Sequence, residues 1–266
     1  MPQPTQQWRF IPLVVNDGFT NMAIDEAILV NCMKGAVPNT VRLYQWSPST
    51  VSIGMHQSVK LEVDEAEIER RGFQLVRRIS GGGAVLHAEG REITYAVVAR
   101  VQDLLGLNNF ARTKVDAVYE NILRVIQKTV SQLSLSAASG VIHCPAVLVD
   151  GKKISGNAQC FKMSHVLQHG TILLSVDPDE MYSVLKPPEG VTKGRMVRSV
   201  KAKVTGLEDY TGHAISPKDF ESKFLKSCSE IFGISFVEGN LTREEMELVN
   251  GLKEKYASTA WRYKYP

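Results

Sequence analysis

The sequence predicts an α+β fold, a mainly antiparallel sheet covered by helices, and three features predict it. Short apolar segments bounded by turn residues mix with stretches whose apolar residues recur at helical spacing. Two of the strand-like segments, Val147–Val149 and Lys153–Ser155, are joined through Asp150-Gly151, a dipeptide that fits a type I′ hairpin turn. A parallel dinucleotide-binding arrangement lacks its signature, because no G-x-G-x-x-G run follows a strand and opens a helix.

The elements follow in order. Asn21 to Lys34 carries apolar residues at helical spacing after Thr20, the expected N-cap. Val41–Tyr44 and Val51–Ile53 read as strands, Leu61 to Arg71 as a charged amphipathic helix, and Leu75–Arg78 and Ile93–Val98 as strands again. Val115 to Leu133 is a helix with Val118, Ile122, Val125, Ile126 and Val130 along one side. Val147–Val149 and Thr171–Ser175 complete a set expected to share one sheet with the helices packed on it. From Ser216 the pattern turns helical, Pro217 to Phe232 and then Thr242 to Tyr256. Residues 1–215 are therefore expected to form the main domain and 216–266 a helical cap or small subdomain.

Composition narrows the function classes. A chain of 266 residues with 44% apolar content holds a substantial core. Its formal charge of +3, without a long basic tract, gives no reason to expect nucleic acid. No apolar run approaches the ~20 residues of a membrane span, and MPQPTQQW lacks a signal peptide's apolar region, so a cytoplasmic protein is expected. Cys32, Cys144, Cys160 and Cys228 include no C-x-x-C pair, so neither a zinc site nor a disulfide framework is indicated.

The segment richest in chemistry is RRISGGGAVLH, Arg77 to His87. Gly81, Gly82 and Gly83 carry a backbone-entropy cost and bury no side chain, so this backbone is left bare for close approach. Arg77 and Arg78 offer charge for a phosphate or carboxylate, Ser80 a hydroxyl, and the loop N–H groups a nest for anionic oxygens. No Gly-Lys-Ser/Thr follows, which excludes a nucleotide P-loop. A glycine-rich hairpin with surface arginines is the plainer alternative. In VDGKKISGNAQ, Val149 to Gln159, alternation places Lys153 and Ser155 on the face opposite Ile154. An ammonium there neutralises a carboxylate or phosphate, and a solvated hairpin lysine is the alternative. Leu167 to Leu174 is a strand opening on His169-Gly170, which alone carries little information.

Taken together and in this order, these segments resemble the lipoate–protein ligase family and its octanoyltransferase relatives, which share a catalytic domain with biotin–protein ligases. Trp8 to Leu29 is similar to the family's opening strand and first helix, and Val41 to Gln57 to the next strand pair. RRISGGGAVLH is similar to the substrate-binding motif, GKKISGNAQ to the segment of the essential lysine, and LQHGTILL to the strand of a ligand-facing histidine. KGRMVRSVKAKVTGL, Lys193 to Leu207, resembles the adenylate-closing segment, and KYASTAWRYKY the close of the domain. The Gly-Arg-Gly-Arg signature of the biotin branch is absent at Ser80 to Gly83.

The resemblance implies a class II synthetase-like sheet and an ATP-dependent reaction, in which a lipoate or octanoate carboxylate forms an acyl-adenylate and passes the acyl group to a lysine of a lipoyl domain. That domain belongs to a 2-oxoacid dehydrogenase E2 or a glycine cleavage H protein. It implies Lys153 as the catalytic residue, and Arg78, Ser80, Gly81, Gly82, Gly83, Ala84, Val85, His87, Ser155, Gly156, Ala158 and His169 as substrate-binding residues. Lys153 and Arg78 would face growing negative charge, each worth on the order of 3 kcal/mol of barrier. Val85 and Leu86 would wall a C8 chain, at about 0.8 kcal/mol per buried methylene. His87 and His169 would hydrogen-bond near the adenylate. ATP, lipoate or octanoate, and magnesium are the implied ligands. A short tail after the motif-bearing core is similar to the two-component archaeal type, so a small accessory subunit is expected.

Two departures keep an alternative open. Pro145 and Ala146 stand where the ligases place an Asn-Asp pair whose acid helps hold magnesium, which leaves the metal ligands unassigned. Cys144 stands near the point where the octanoyltransferases place an acyl nucleophile that takes octanoate from acyl carrier protein without ATP. A small buried hydrophobe is the plainer role for that cysteine. The triple glycine and Lys193 to Leu207 favour the ligase; Ala146 and the two ends of the chain favour the transferase. A catalytically silent carrier-protein binder is a third class, against which Arg78, Lys153 and His169 together argue.

Overall fold

The structure, a computed structural model, describes residues 6–105, 113–142 and 144–265, and does not describe the side chain of Cys144. In chain order the elements are β1 (Gln6–Asn16), α1 (Gly18–Met33), β2 (Thr40–Trp46), β3 (Thr50–Ile53), α2 (Val59–Glu62), α3 (Glu65–Arg70), β4 (Gln74–Arg77), β5 (Val85–His87), β6 (Glu92–Arg100), α4 (Val101–Leu104) and α5 (Lys114–Ser131). There follow β7 (Ala137–Ile142), β8 (Cys144–Val149), β9 (Lys152–Lys162), β10 (His165–Leu173), α6 (Pro178–Val184), α7 (Lys193–Lys203), α8 (Glu208–Thr211), α9 (Pro217–Phe232), β11 (Ile234–Glu238), α10 (Arg243–Ala257) and α11 (Thr259–Arg262).

Among the described residues the strands form an eight-stranded sheet, ordered β11-β1-β2-β6-β10-β9-β8-β7, and a three-stranded one, ordered β4-β3-β5. The large sheet is antiparallel except that β1 pairs in parallel with β2 and β11. Val51–Ile53 and Leu75–Arg78, expected in that sheet, instead build the small one. The residues from Ser216 supply α9, α10 and also β11, which extends the large sheet at β1.

Both faces of the large sheet are covered. On one, α5 and α9 bury Val118, Ile122, Ile126, Phe220 and Phe224 against Tyr95, Val97, Val147 and Ile172. On the other, α1 lies between the sheet and α10, so its residues are buried nearly all round. Its N-cap is Asp17, three residues ahead of the Thr20 expected from sequence: the Asp17 carboxylate accepts from the Thr20 amide at 2.9 Å and hydroxyl at 2.6 Å. The helix expected over Leu61–Arg71 is broken into α2 and α3, because Val63 bridges to Leu185 and Asp64 caps α3. Among the described residues no helix is long and apolar enough to cross a membrane.

Candidate active site

Between the α1 face of the large sheet and the small sheet lies a cavity of about 430 Å³, covered on its outer side by α6 and α7. Thr94, Ala158, His169 and Thr171 line it from the large sheet, Gly82 to His87 from the glycine loop and β5, and Met181, Leu185, Met196 and Val204 from the cover. Lys153 also lines it. The lining is mainly apolar with a few convergent polar groups, the usual build of a small-molecule site.

The glycine loop is held by the two arginines that precede it, and here the structure departs from expectation. Arg78 is buried; its guanidinium donates to the carbonyls of Gly81 (2.7 Å), Gly83 (2.7 Å) and Ser52 (3.1 Å) and to the Ser52 hydroxyl (3.0 Å). Arg77 is fully buried and donates to the carbonyls of Gly54, Met55 and Gln57. The Arg77 charge, expected to meet a substrate anion, is thus directed at main-chain oxygen, whereas Arg78 braces the loop and also stands in the cavity wall. The three glycines differ. Gly82 has φ +91°, a conformation that favours glycine, whereas a Cβ at Gly81 or Gly83 would meet nothing within 4 Å. Gly54 is the tightest partner: a Cβ there would sit 2.1 Å from the Gly82 carbonyl oxygen.

Two buried serine–histidine–carboxylate chains flank the cavity. In the first, the Ser80 hydroxyl meets His169 Nε2 at 2.6 Å and His169 Nδ1 meets Asp25 at 3.0 Å. Asp25 also pairs with Arg42 (2.9 Å) and accepts from Tyr44 (3.0 Å). Burial, and then the Asp25 carboxylate, push the Tyr44 phenol well above its ordinary pKa, so it remains a donor. In the second, Ser52 meets His87 Nε2 at 2.9 Å and His87 Nδ1 meets Glu92 at 2.7 Å, while Thr94 donates to Glu92 and Trp46 donates to Thr94. The His87 ring also stacks on Trp46 with centroids 4.0 Å apart. Both ring nitrogens of His87 and His169 are engaged in these chains, and both histidines line the cavity.

The hairpin explains Lys153. Asp150 (φ 47°) and Gly151 (φ 76°) both have positive φ, as a type I′ turn requires. The register with β8 then slips: Leu148 faces Lys153 and Val147 faces Ser155, so Ile154 is an extra, bulged residue. The bulge leaves Lys153 at the cavity but turns Ile154 and Ser155 alike toward the α5–α9 core. Ser155, opposite Val147 and Ile172 in the ladder, is fully buried and its hydroxyl has no hydrogen-bond partner among the described residues. The expectation that Lys153 and Ser155 share one face is thereby corrected. Gly156 and Ala158 remain in the cavity wall.

Cys144 stands in β8 opposite Ile142, two positions from Ala146, whose ladder partner is Gly156. His143 and the Cys144 side chain lie outside the described residues. Among the described residues the structure shows no donor set that fits magnesium. Ala146 puts a buried methyl where the resemblance places an acid, and among the described residues no group of three His, Cys, Asp or Glu is placed to hold a metal. Glu62 lines the cavity, and the buried acids Asp25 and Glu92 are already committed to the two chains above. Sequence reading missed Asp25, Arg42, Ser52 and Glu92. The one local signal was an acidic pair, Asp25-Glu26, inside an otherwise apolar helix.

Residues 17–229 match the lipoyl protein ligase A/B catalytic domain. Octanoyltransferase LipM of Moorella thermoacetica is 33% identical over 97% of this chain and 98% of its own length. Octanoyltransferase LipM of Kyrpidia tusciae is 32% identical over 97% of this chain and 99% of its own. Among solved structures, the bi-partite lipoate protein ligase of Thermoplasma acidophilum shares the fold with a TM-score of 0.81 at 24% identity, covering 97% of this chain and 96% of that one. The chain belongs to the lipoyl protein ligase A/B catalytic domain family, enzymes of lipoyl and octanoyl protein modification.

Proposed function

We propose that this chain is an octanoyltransferase that takes octanoate from octanoyl-acyl carrier protein and delivers it to a lysine of a lipoyl domain, such as that of a 2-oxoacid dehydrogenase E2 or a glycine cleavage H protein. The observation that carries the reading is the full-length likeness to proteins named octanoyltransferase, at 33% and 32% identity. It reverses the order expected from sequence, where the ATP-dependent ligase stood first. The site supports the change: Arg77 is spent on main-chain carbonyls, and position 146, expected to help hold magnesium, is a buried alanine.

The reaction divides into two balanced transfers. The Cys144 thiolate attacks the carbonyl carbon of the octanoyl thioester, the bond to the carrier's sulfur breaks, and that sulfur leaves as a thiolate to be protonated. The lipoyl-domain lysine amine then attacks the Cys144 thioester, an amide forms, and the Cys144 thiolate is released as the amine loses a proton. Lys153 supplies positive charge at the cavity wall to the thiolate and to each tetrahedral oxyanion. The apolar lining takes the octanoyl chain at about 0.8 kcal/mol per methylene. No adenylate forms, so this route requires no accessory subunit. The second reading, ATP-dependent ligation, retains one favouring feature: α7, beside the cavity, carries Lys193, Arg195, Arg198, Lys201 and Lys203 with no acid among them. Incubation with a lipoyl domain and either octanoyl-carrier protein or octanoate with ATP and magnesium separates the two. Amide formation only from the thioester supports the transferase; amide formation only with ATP, accompanied by pyrophosphate, overturns it.

A further inference from the structure

The glycine loop is tethered to a segment far from it in sequence. Besides the carbonyls of residues 54, 55 and 57, the buried Arg77 guanidinium donates to the carbonyl of Trp261 (3.1 Å) and twice to that of Arg262 (2.7 and 3.0 Å). The contact is returned by the Trp261 indole N–H, which donates to the Arg77 carbonyl at 2.8 Å. The Tyr265 ring lies 5.6 Å from the same guanidinium and packs edge-on against His56. Trp261 is clamped in turn by Tyr256, edge-on at 5.9 Å, and by Lys255 at 4.1 Å over its ring. From Arg77 the contact passes through Gly54, which lies against the Gly82 carbonyl so closely that no Cβ fits between them. Gly82 is cavity wall.

We propose that the segment Ser258–Tyr265 is a positioning element for the acyl-donor site. Acting through Arg77 and the loop at 54–57, it sets where Gly82 stands, although none of its own described residues lines the cavity. The physical reason is that a buried guanidinium cannot leave its acceptors unreplaced. Withdrawing two of the five carbonyls forces Arg77 to find others or water, and the loop bound to its remaining nitrogens shifts with it. The tether therefore bears on binding of the acyl donor more than on the bond-making groups at Lys153. This inference rests on the reading that the cavity receives the acyl chain.

The test is hydrogen exchange together with steady-state kinetics on Trp261→Ala, with Trp261→Phe as the milder variant that keeps a ring but loses the indole N–H. Residues 54–57 and 80–84 should exchange about tenfold faster in Trp261→Ala while α5 and β10 are unchanged. KM for octanoyl-carrier protein should rise about tenfold with kcat within about threefold, and Trp261→Phe should fall between. Unchanged exchange at both loops overturns the proposal, as does a fall in kcat at constant KM. In the wild type, octanoyl donor should slow exchange at 80–84. Absence of that slowing overturns the reading of the cavity itself, a result separable from the tether because it does not involve Trp261.

Discussion

Gly54→Ala tests the geometry on which the glycine loop depends. The new methyl would lie 2.1 Å from the Gly82 carbonyl oxygen and 3.1 Å from its carbon, both backbone atoms that no rotamer change removes. Carbon–oxygen contacts settle near 3.3 Å or beyond, so the two loops must part by about 1.2 Å. Overpacking of this kind costs about 1–3 kcal/mol, which in a chain this size lowers Tm by several degrees, at about 2–4 °C per kcal/mol. The effect on activity should exceed that on stability, because displacing the cavity wall by about 1 Å can cost on the order of 100-fold in rate. Gly81→Ala is the matched control: its methyl meets nothing within 4 Å, and both quantities should stay near wild type. The assay is kcat/KM for amide formation on a lipoyl domain, followed by mass spectrometry, beside a thermal melt. A Gly54→Ala protein with wild-type kcat/KM and Tm would refute the close approach of the two loops.

Further outcomes follow from other parts of the structure. Lys153→Ala should reduce transfer to a few per cent or less with the fold intact by circular dichroism, while Lys152→Ala, its neighbour in the hairpin, should be nearly silent. Burial pushes the Cys32 thiol up to about 11 and raises Cys160 and Cys228 as well, so these three stay protonated at neutral pH. Iodoacetamide at pH 7 should therefore modify Cys144 first, as peptide mapping would show, and octanoyl donor should protect it; labelling led by Cys160 would contradict the assignment. Asp17→Ala should cost about 1 kcal/mol through loss of the α1 cap. Burial raises the Asp17 pKa, but the bonds from Thr20 and the Lys253 charge outweigh it and the net shift is downward. A lowered pKa gives stability that is present above the unfolded value near ~3.9 and lost as pH falls through the folded one. Urea melts should accordingly show a larger difference between wild type and Asp17→Ala at pH 7 than at pH 3.

Where a residue's fate depends on near neighbours, the sequence told it in advance. The long helices α5, α9 and α10 follow from 3.6-residue apolar spacing, and the β8–β9 hairpin from Asp150-Gly151. Where the partner is distant, pattern alone was insufficient. Val51–Ile53 and Leu75–Arg78 look like members of the large sheet because a strand's periodicity does not say which strand it pairs with. Ile234–Glu238 is a short run between two helical stretches, and it pairs in parallel with the edge that β1 offers. Alternation misplaced Ser155 because the bulge at Ile154 adds a residue that no local feature announces. Arg77 reads as ligand-binding because its acceptors at Trp261 and Arg262, 184 and 185 positions away, come within reach only in the folded chain. Asp25 was hidden for the same reason: its partners Arg42, Tyr44 and His169 meet only across α1 and the sheet.

The central claim is thioester chemistry without ATP, and intact-mass measurement of the enzyme tests it most directly. Purified chain is mixed with octanoyl-carrier protein in nucleotide-free buffer, quenched in acid and mapped, and then chased with a lipoyl domain. The account predicts a single octanoyl adduct on Cys144 that disappears as the lipoyl-domain lysine becomes octanoylated, with no adduct in Cys144→Ser. An unmodified enzyme, with octanoylation of the lipoyl domain appearing only when ATP is supplied, would contradict it.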